Sequence, residues 1–142
     1  MTKSKEKLDS YLKEHELRQT TERTAMLDYI MQLDSHFSIG TLMNDFAPTN
    51  HISKMSVYRN LELFLKANIV VMHPFPGDEI IYELSERAET HYHRICTQCG
   101  AVKEFHDAKT SKLLKSHRFK GFTMKSNHVY IHGICSKCRN KS

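Results

Sequence analysis

The sequence lacks every segment that would place the protein in or across a membrane. No stretch of about 18 consecutive apolar residues occurs in its 142 residues, so none is expected to span a bilayer as a helix. The N-terminus, MTKSKEKLDSYLKEH, has no apolar core of the kind that a signal peptide needs. Internal repeats and low-complexity segments are also missing. We therefore expect a cytoplasmic protein without a membrane partner, made of one compact domain or two small ones.

Acidic residues are scarce in one part of the chain only. Residues 85–142 contain 4 Asp and Glu against 12 Lys and Arg, a net charge of +8. Residues 1–84 contain 12 Asp and Glu against 9 Lys and Arg, a net charge of −3. The positive total permits nucleic-acid binding, but it does not by itself locate a DNA-binding surface.

The first half of the chain has the periodicity of helices. Apolar residues recur three and four positions apart within 4–15, 20–33, 37–46 and 52–68, and Ser38 and Ser53 are the expected N-caps of the last two segments. The period then changes to that of strands at 69–75 and 79–85, on either side of a Pro-Gly-Asp turn. Short helices followed by a β-hairpin predict a winged helix-turn-helix, which makes residues 1–84 the N-terminal domain of an α+β chain.

The fourth helical segment is the expected recognition helix. Such a helix lies in the major groove of DNA and presents the exposed residues of its N-terminal half to bases and phosphates. Arg can bind guanine through two hydrogen bonds, Tyr can reach a phosphate or a thymine methyl, and Lys neutralises phosphate. A solvated polar face is the alternative interpretation of these residues. The candidate DNA-binding residues are Lys54, Ser56, Tyr58, Arg59 and Asn60.

A polar segment, SERAET at 85–90, is the predicted hinge between this domain and residues 91–142. Beyond the hinge, the patterns at 91–96, 101–106 and 122–135 predict strands, and the pattern at 107–119 predicts an amphipathic helix. Roughly 55 residues are too few to bury a self-sufficient core, so the segment needs a further source of stability.

Four cysteines in two C-x-x-C motifs, 96-CTQC-99 and 135-CSKC-138, supply that stability. Thiols stay reduced in the cytosol, and two such turns complete a tetrahedron of thiolates around Zn²⁺. Gly100 suits the turn after the first pair, because glycine tolerates positive φ. We expect Cys96, Cys99, Cys135 and Cys138 to form a closed structural zinc site. A thiol switch that releases zinc on oxidation is the alternative.

The histidines next to the first cysteine pair predict a second metal site. His91 and His93 are two positions apart on a strand and therefore share a face. Imidazole together with carboxylate suits Zn²⁺, Fe²⁺ or Mn²⁺, and Glu83 and Glu104 are the candidate carboxylates. For any single histidine, an ordinary surface or core position is the alternative. A zinc hydrolase is disfavoured, since the sequence has no H-E-x-x-H and no evident general base beside an open site.

These segments together resemble the ferric uptake regulator family. The resemblance covers nearly the whole chain and lies in LRQTTER at 17–23, HFS at 36–38, SVYRNLELF at 56–64, YE at 82–83, HYHRICTQCG at 91–100, EFH at 104–106 and CSKC at 135–138. It implies a dimeric metalloregulator with an N-terminal winged helix and a C-terminal α/β dimerisation domain, and therefore a repressor active with metal bound rather than an enzyme.

The resemblance also implies roles for particular residues. The regulatory metal site would use His36, Glu83, His91, His93 and Glu104, beside the structural zinc. Tyr58 and Arg59 would contact the major groove, and Arg18 would reach into an A/T-rich minor groove of a palindromic operator.

The resemblance leaves the signal open. Thr90 and Tyr92 stand where iron-sensing relatives often carry further ligands, so no accessory third site is expected. The HYH form is similar to that of peroxide sensors, whereas Glu104 replaces their usual Asp. Iron, zinc and peroxide therefore stay open as signals, with Fe²⁺, Zn²⁺ or Mn²⁺ as the regulatory metal. A zinc-ribbon adaptor for protein–protein contacts is the alternative from another functional class.

Overall fold

The structure is a computed structural model that describes residues 2–140. Met1, Lys141 and Ser142, at the ends of the predicted domain ranges, lie outside the described residues. The chain divides into two compact units, one made of residues 2–74 and 78–87 and the other of residues 75–77 and 88–140. The sequence predicts a DNA-binding domain at 1–84, a hinge at 85–90 and a dimerisation domain at 91–142. These functional boundaries remain a prediction.

Helices make up most of the first unit. They are α1 (Lys3–Glu14), α2 (Thr21–Leu33), α3 (Ile39–Thr41), a π-helical turn (Leu42–Phe46), α4 (Ala47–Asn50), α5 (Lys54–Lys66) and α6 (Ser85–Ala88). The hydroxyl of Ser38 accepts from the backbone N–H of Thr41, and the hydroxyl of Ser53 accepts from the backbone N–H of Ser56. Both capping predictions are confirmed, and they fix where the short third helical run and α5 start.

One hydrophobic core holds the first unit together. Its fully buried members come from α1, α2, the π-helical turn, α5 and the start of the hairpin, and include Leu8, Met26, Leu27, Leu42, Phe46, Val57, Phe64 and Ile69. Each side chain of this kind contributes about 1.5–3 kcal/mol when it is removed from water. The core therefore fixes the position of α5 within this unit.

The predicted wing is an antiparallel hairpin of β1 (Val70–His73) and β2 (Ile81–Leu84). An isolated β-bridge pairs a third segment of the chain with the hairpin, because the backbones of Phe37 and Tyr82 exchange N–H···O bonds of 2.9 and 2.8 Å. The bridge attaches the segment before α3 to the edge of the wing.

The second unit is a three-stranded sheet with order β4-β3-β5. Strand β3 (Tyr92–Cys96) pairs antiparallel with β4 (Val102–Phe105) and parallel with β5 (Tyr130–Gly133), and helices α7 (Ala108–Ser116) and α8 (Ser136–Arg139) complete the unit. Residues 75–77 belong to this unit, since the ring of Phe75 packs against those of His93 and Tyr130 at centroid distances of 5.0 and 6.1 Å. The predicted α+β fold class is confirmed.

Two local predictions differ from the structure. The strand predicted at 122–135 is a strand only at Tyr130–Gly133, because the polar run 125-KSNH-128 interrupts the apolar alternation that a strand needs. The segment predicted as a hinge starts with the four-residue helix α6. Among the described residues, no helix combines the length and the apolar character needed to cross a bilayer.

Candidate metal centres and DNA-binding surface

The four cysteines lie together in the second unit. Cys96 ends β3, Cys99 follows in the adjoining turn, and Cys135 and Cys138 flank the start of α8. Their four Sγ atoms lie within 4.8 Å of one another, and the Sγ atoms of Cys99 and Cys135 are 3.8 Å apart. A tetrahedron with Zn–S bonds of about 2.3 Å has sulfurs about 3.8 Å apart, whereas a disulfide bond is about 2.05 Å long. The arrangement fits a four-thiolate zinc site.

Backbone N–H groups favour the thiolate form of Cys96, one of the four cysteines of this site. The backbone N–H groups of Cys99 and then Cys135 lower the pKa of Cys96 to about 6, and the Cys135 N–H lies 3.4 Å from the Cys96 sulfur. Hydrogen bonding to Cys135 raises the pKa of Cys138 to about 12. Deprotonating every thiol without a metal is therefore unfavourable, and a bound Zn²⁺ would supply the positive charge that four thiolates require. Gly100 has the expected positive φ, at 77°.

A buried carboxylate organises the candidate ligands of the first unit. Glu83 has no exposed surface, and its Oε1 lies 2.7 Å from His73 Nε2 and 3.3 Å from His36 Nε2. The ligand atoms of these three residues all lie within 4.8 Å of one another. An ionised carboxylate without surface needs positive or hydrogen-bonding partners, and this donor set of two imidazoles and one carboxylate fits Zn²⁺, Fe²⁺ or Mn²⁺.

The backbone pairing explains why these side chains meet. The bridge between Phe37 and Tyr82 makes the next residues, His36 and Glu83, cross-strand neighbours. In the hairpin, Glu83 pairs with Val71, so His73 is its diagonal neighbour on the same face of β1. One carboxylate therefore receives an imidazole from each side.

The second unit carries its own set of three candidate ligands. His91, His93 and Glu104 place their ligand atoms within 4.8 Å of one another. His91 Nε2 lies 3.4 Å from Glu104 Oε1, and the imidazole centroids of His91 and His93 are 4.9 Å apart. The β3–β4 register places His93 opposite Glu104. This set also fits a divalent metal, and both histidines are buried while Glu104 is exposed.

The sequence reasoning missed His73. It is buried, and it lies nearer to Glu83 than His36 does. A signal was available, because a hairpin that ends in His on one strand and carries Glu on the other can bring the two onto one face. Seven residues separate β1 from β2, and a loop of this length does not specify the strand register. The register decides whether the two side chains share a face of the hairpin.

Helix α5 presents most of the candidate DNA-binding residues to solvent. Lys54, Tyr58 and Arg59 are exposed, and the Lys54 ammonium lies 6.0 Å from the centroid of the Tyr58 ring. Ser56 is half-buried, and its hydroxyl accepts from the hydroxyl of Ser53 within the helix cap. Arg18 lies before α2 and is exposed, and its carbonyl accepts from the guanidinium of Arg23.

One candidate DNA-binding residue, Asn60, does not lie on the exposed face of α5. It was predicted to face DNA, but only 6% of its surface is exposed, so the predicted exposure is wrong. The physical reason is the helix period: Asn60 lies three residues after Val57 and four before Phe64, on the face that α5 turns to the core.

The second unit exposes large apolar side chains. It buries only Ala88, Tyr92, Ile95 and Cys96 as apolar residues among those described. Its exposed large apolar side chains are Leu113, Phe119, Phe122, Ile131 and Ile134. Such a surface is typical of a protein interface.

Comparisons with known proteins agree with this architecture. Residues 14–132 match the sequence profile described as the Ferric uptake regulator family. The chain is 32% identical over 133 residues to the Ferric uptake regulation protein of Bordetella parapertussis, covering 92% of this chain and 95% of that protein.

Solved structures show the same fold. The Vibrio cholerae ferric uptake regulator is 30% identical and superposes with a TM-score of 0.58, covering 89% of this chain and 98% of that one. The Pseudomonas aeruginosa ferric uptake regulator, solved with manganese, is 26% identical with a TM-score of 0.70, covering 90% of this chain and 97% of that one.

Proposed function

The chain belongs to the ferric uptake regulator family and is a metal-dependent transcriptional regulator; we propose that it is a cytoplasmic repressor of iron-homeostasis genes. The observation that carries this proposal is Glu83, a carboxylate with no exposed surface that has imidazoles 2.7 and 3.3 Å away. A buried carboxylate with two imidazoles beside it is a set of donors that suits a divalent metal ion.

The two metal centres have different roles in this proposal. Cys96, Cys99, Cys135 and Cys138 hold Zn²⁺ permanently and stabilise the small second unit. His36 and Glu83 from the first unit, with His91, His93 and Glu104 from the second, bind the regulatory Fe²⁺, Zn²⁺ or Mn²⁺. When bound, that ion supplies directional bonds to ligands from both units. These ligands then restrict the relative orientation of the units.

Restricted orientation has a large effect on DNA binding. A symmetric dimer must fit two half-sites at once, so the spacing of its recognition helices decides the affinity. Changing such a switch from mostly inactive to mostly active needs roughly 5 kcal/mol of differential binding, which several metal–ligand bonds can supply. The metal-bound protein represses, and the metal-free protein releases its operator.

The DNA contacts come from α5 and the segment before α2. Tyr58 and Arg59 contact bases in the major groove, Lys54 and Ser56 contact phosphates, and Arg18 enters an A/T-rich minor groove. Support comes from the exposure of four of these five residues, with Ser56 half-buried at the start of the helix. The expected partner is double-stranded DNA with an A/T-rich palindrome.

The dimer uses the apolar surface of the second unit. Leu113, Phe119 and Phe122 are 68, 49 and 67% exposed, which is costly for a monomer in water. Pairing two copies through this surface buries these side chains and produces the twofold symmetry that a palindromic operator requires.

Iron is favoured as the signal by the similarity of the chain to ferric uptake regulators and by Glu83 as a carboxylate ligand. Peroxide sensing and zinc sensing are the remaining signals on the same scaffold, and we expect no enzymatic turnover. A zinc-ribbon adaptor would not need an ordered metal-ligand set in each unit.

The test is a gel-shift titration on operator DNA selected from a random library, with Fe²⁺, Zn²⁺ and Mn²⁺ added separately, with and without peroxide. We expect metal-dependent binding that weakens steeply with salt, because each phosphate contact releases counterions. Binding that is indifferent to all three metals would contradict the proposal, and loss of Fe²⁺-dependent binding in peroxide would identify a peroxide sensor.

A further inference from the structure

The Glu83 carboxylate has a third partner in addition to the two imidazoles. The guanidinium of Arg87 donates from Nη1 to Glu83 Oε2, the oxygen that the imidazoles do not use. Arg87 lies four residues after Glu83, on α6. Arginine carries its charge at any accessible pH. The carboxylate is therefore neutralised by a cation that belongs to the chain itself.

Arg87 also has a second acidic neighbour. Its Nε lies 3.5 Å from Oδ1 of Asp34, and 26% of the Arg87 side chain is exposed. Asp34 follows α2, and its side chain is 94% exposed. The guanidinium thus lies between a buried acid and an exposed one. It can move toward Asp34 with little loss of hydration, because that side of it is already near solvent.

A divalent ion and the guanidinium are alternative cations for one carboxylate. Like charges that share a partially buried site repel each other strongly, because the low local dielectric screens them poorly. While Arg87 stays on Oε2, its charge lowers the affinity of Glu83 Oε1 for a divalent ion, and withdrawal of the guanidinium raises that affinity.

We propose that Arg87 is an internal competitor for the regulatory metal: it neutralises Glu83 in the metal-free protein, withdraws toward Asp34 when metal binds, and so sets the metal concentration at which the sensor responds. This inference rests on the proposed function, in which Glu83 is a regulatory ligand. It assigns to Arg87 and Asp34 a role in the metal threshold without contact to the metal.

Two substitutions are expected to act in opposite directions. Arg87→Gln keeps a hydrogen-bond donor but removes the competing charge, and should tighten metal binding by about tenfold. Asp34→Asn removes the acceptor for the withdrawn guanidinium and should weaken metal binding by about two- to fivefold, the range of an exposed ion pair. The double variant should bind metal like Arg87→Gln alone, since Asp34 acts only through Arg87.

The measurement is Mn²⁺ affinity of the full-length, zinc-loaded protein by calorimetry and by competition with a chelating dye. Mn²⁺ prefers oxygen and nitrogen ligands and leaves the thiolate site to zinc. Arg87→Lys keeps the charge and should retain near wild-type affinity. Arg118→Gln removes one charge from an exposed arginine of the second unit, and should leave the affinity unchanged.

A second readout does not need metal. Without Arg87, the buried Glu83 loses its cation, so the metal-free Arg87→Gln protein should melt at a lower temperature than the wild type. Saturating Mn²⁺ should then give it a larger upward shift in melting temperature than the wild type shows.

The outcomes separate this inference from the proposed function. If wild-type protein binds Mn²⁺ and Arg87→Gln binds it equally or more weakly, Arg87 is not a competitor and this inference alone is overturned. If zinc-loaded wild type binds no second metal ion of any kind, the proposed function is overturned and this inference with it.

Discussion

The four-cysteine cluster and the histidine–carboxylate ligands are built in different ways. All four cysteines belong to one unit, and their sulfur atoms converge at a single point. The proposed regulatory ligands are divided: His36 and Glu83 belong to one unit, and His91, His93 and Glu104 belong to the other. A site contained in one small unit contributes to the folding of that unit. Ligands divided between two units can instead report on how those units are arranged.

The largest expected effect comes from removing one zinc ligand. Cys96→Ser should unfold the second unit and abolish the dimer. Zinc binding contributes about 10–16 kcal/mol to the folding of small zinc domains, whereas the whole free energy of unfolding of a domain is about 5–15 kcal/mol. Circular dichroism, zinc content and sedimentation check this. Gln98→Ser is the matched control, since it places the same residue in the same exposed turn and keeps all four thiols.

A folded, dimeric Cys96→Ser protein would remove the distinction between the two sites. It would show that the sheet of the second unit is stable without its zinc, and that the cysteines have a regulatory role.

The second effect should be large for metal binding and small for folding. His91→Ala removes a buried candidate ligand and should weaken regulatory-metal binding by at least about 100-fold, since even the outer partners of a metal ligand contribute about 10–100-fold. The structural zinc and the dimer should persist, and metal-dependent DNA binding should be lost. Mn²⁺ calorimetry measures the metal affinity, and gel shifts on the same protein sample measure the metal-dependent DNA binding.

His106→Ala is the control for that substitution. His106 is exposed in the same unit, and its imidazole centroid lies 6.3 Å from that of His91. A normal metal response in His91→Ala, or equal losses in both variants, would contradict the ligand assignment.

Local patterns were enough to predict much of this molecule. Caps and apolar periodicity located α5 and the hairpin, and the motif spacing alone brought the four cysteines together as a candidate site. The contact of His73 with Glu83 depends on strand register across a long loop, and no local pattern specifies that register. The burial of Asn60 was predictable, because Val57, Leu61 and Phe64 already define the inner face of α5. Asparagine is a common base-contacting residue, but at position 60 the helix phase decides that its side chain is buried.

Asp34 and Arg87 were missed for another reason. They are far apart in sequence, and neither belongs to a recognisable motif. Their contact exists only because the fold brings Arg87 of α6 to the residue that follows α2. Single charged residues of this kind are usually solvated, so composition gives no reason to select them.

The smallest expected effect separates DNA contact from metal response. Arg59→Ala should weaken binding to operator DNA by about 1–3 kcal/mol and relax specificity at one base position, because an arginine that binds guanine with two hydrogen bonds contributes about that much. Metal affinity and the zinc content should not change, whereas His91→Ala should lower the metal affinity.

Lys66→Ala is the matched control: it removes a positive charge from the exposed C-terminal end of the same helix, where Lys66 is paired with Glu62 at 3.1 Å. If both substitutions weaken binding equally on every sequence, Arg59 contributes only general charge. If Arg59→Ala alone relaxes specificity, α5 is the recognition helix and Arg59 contacts a base.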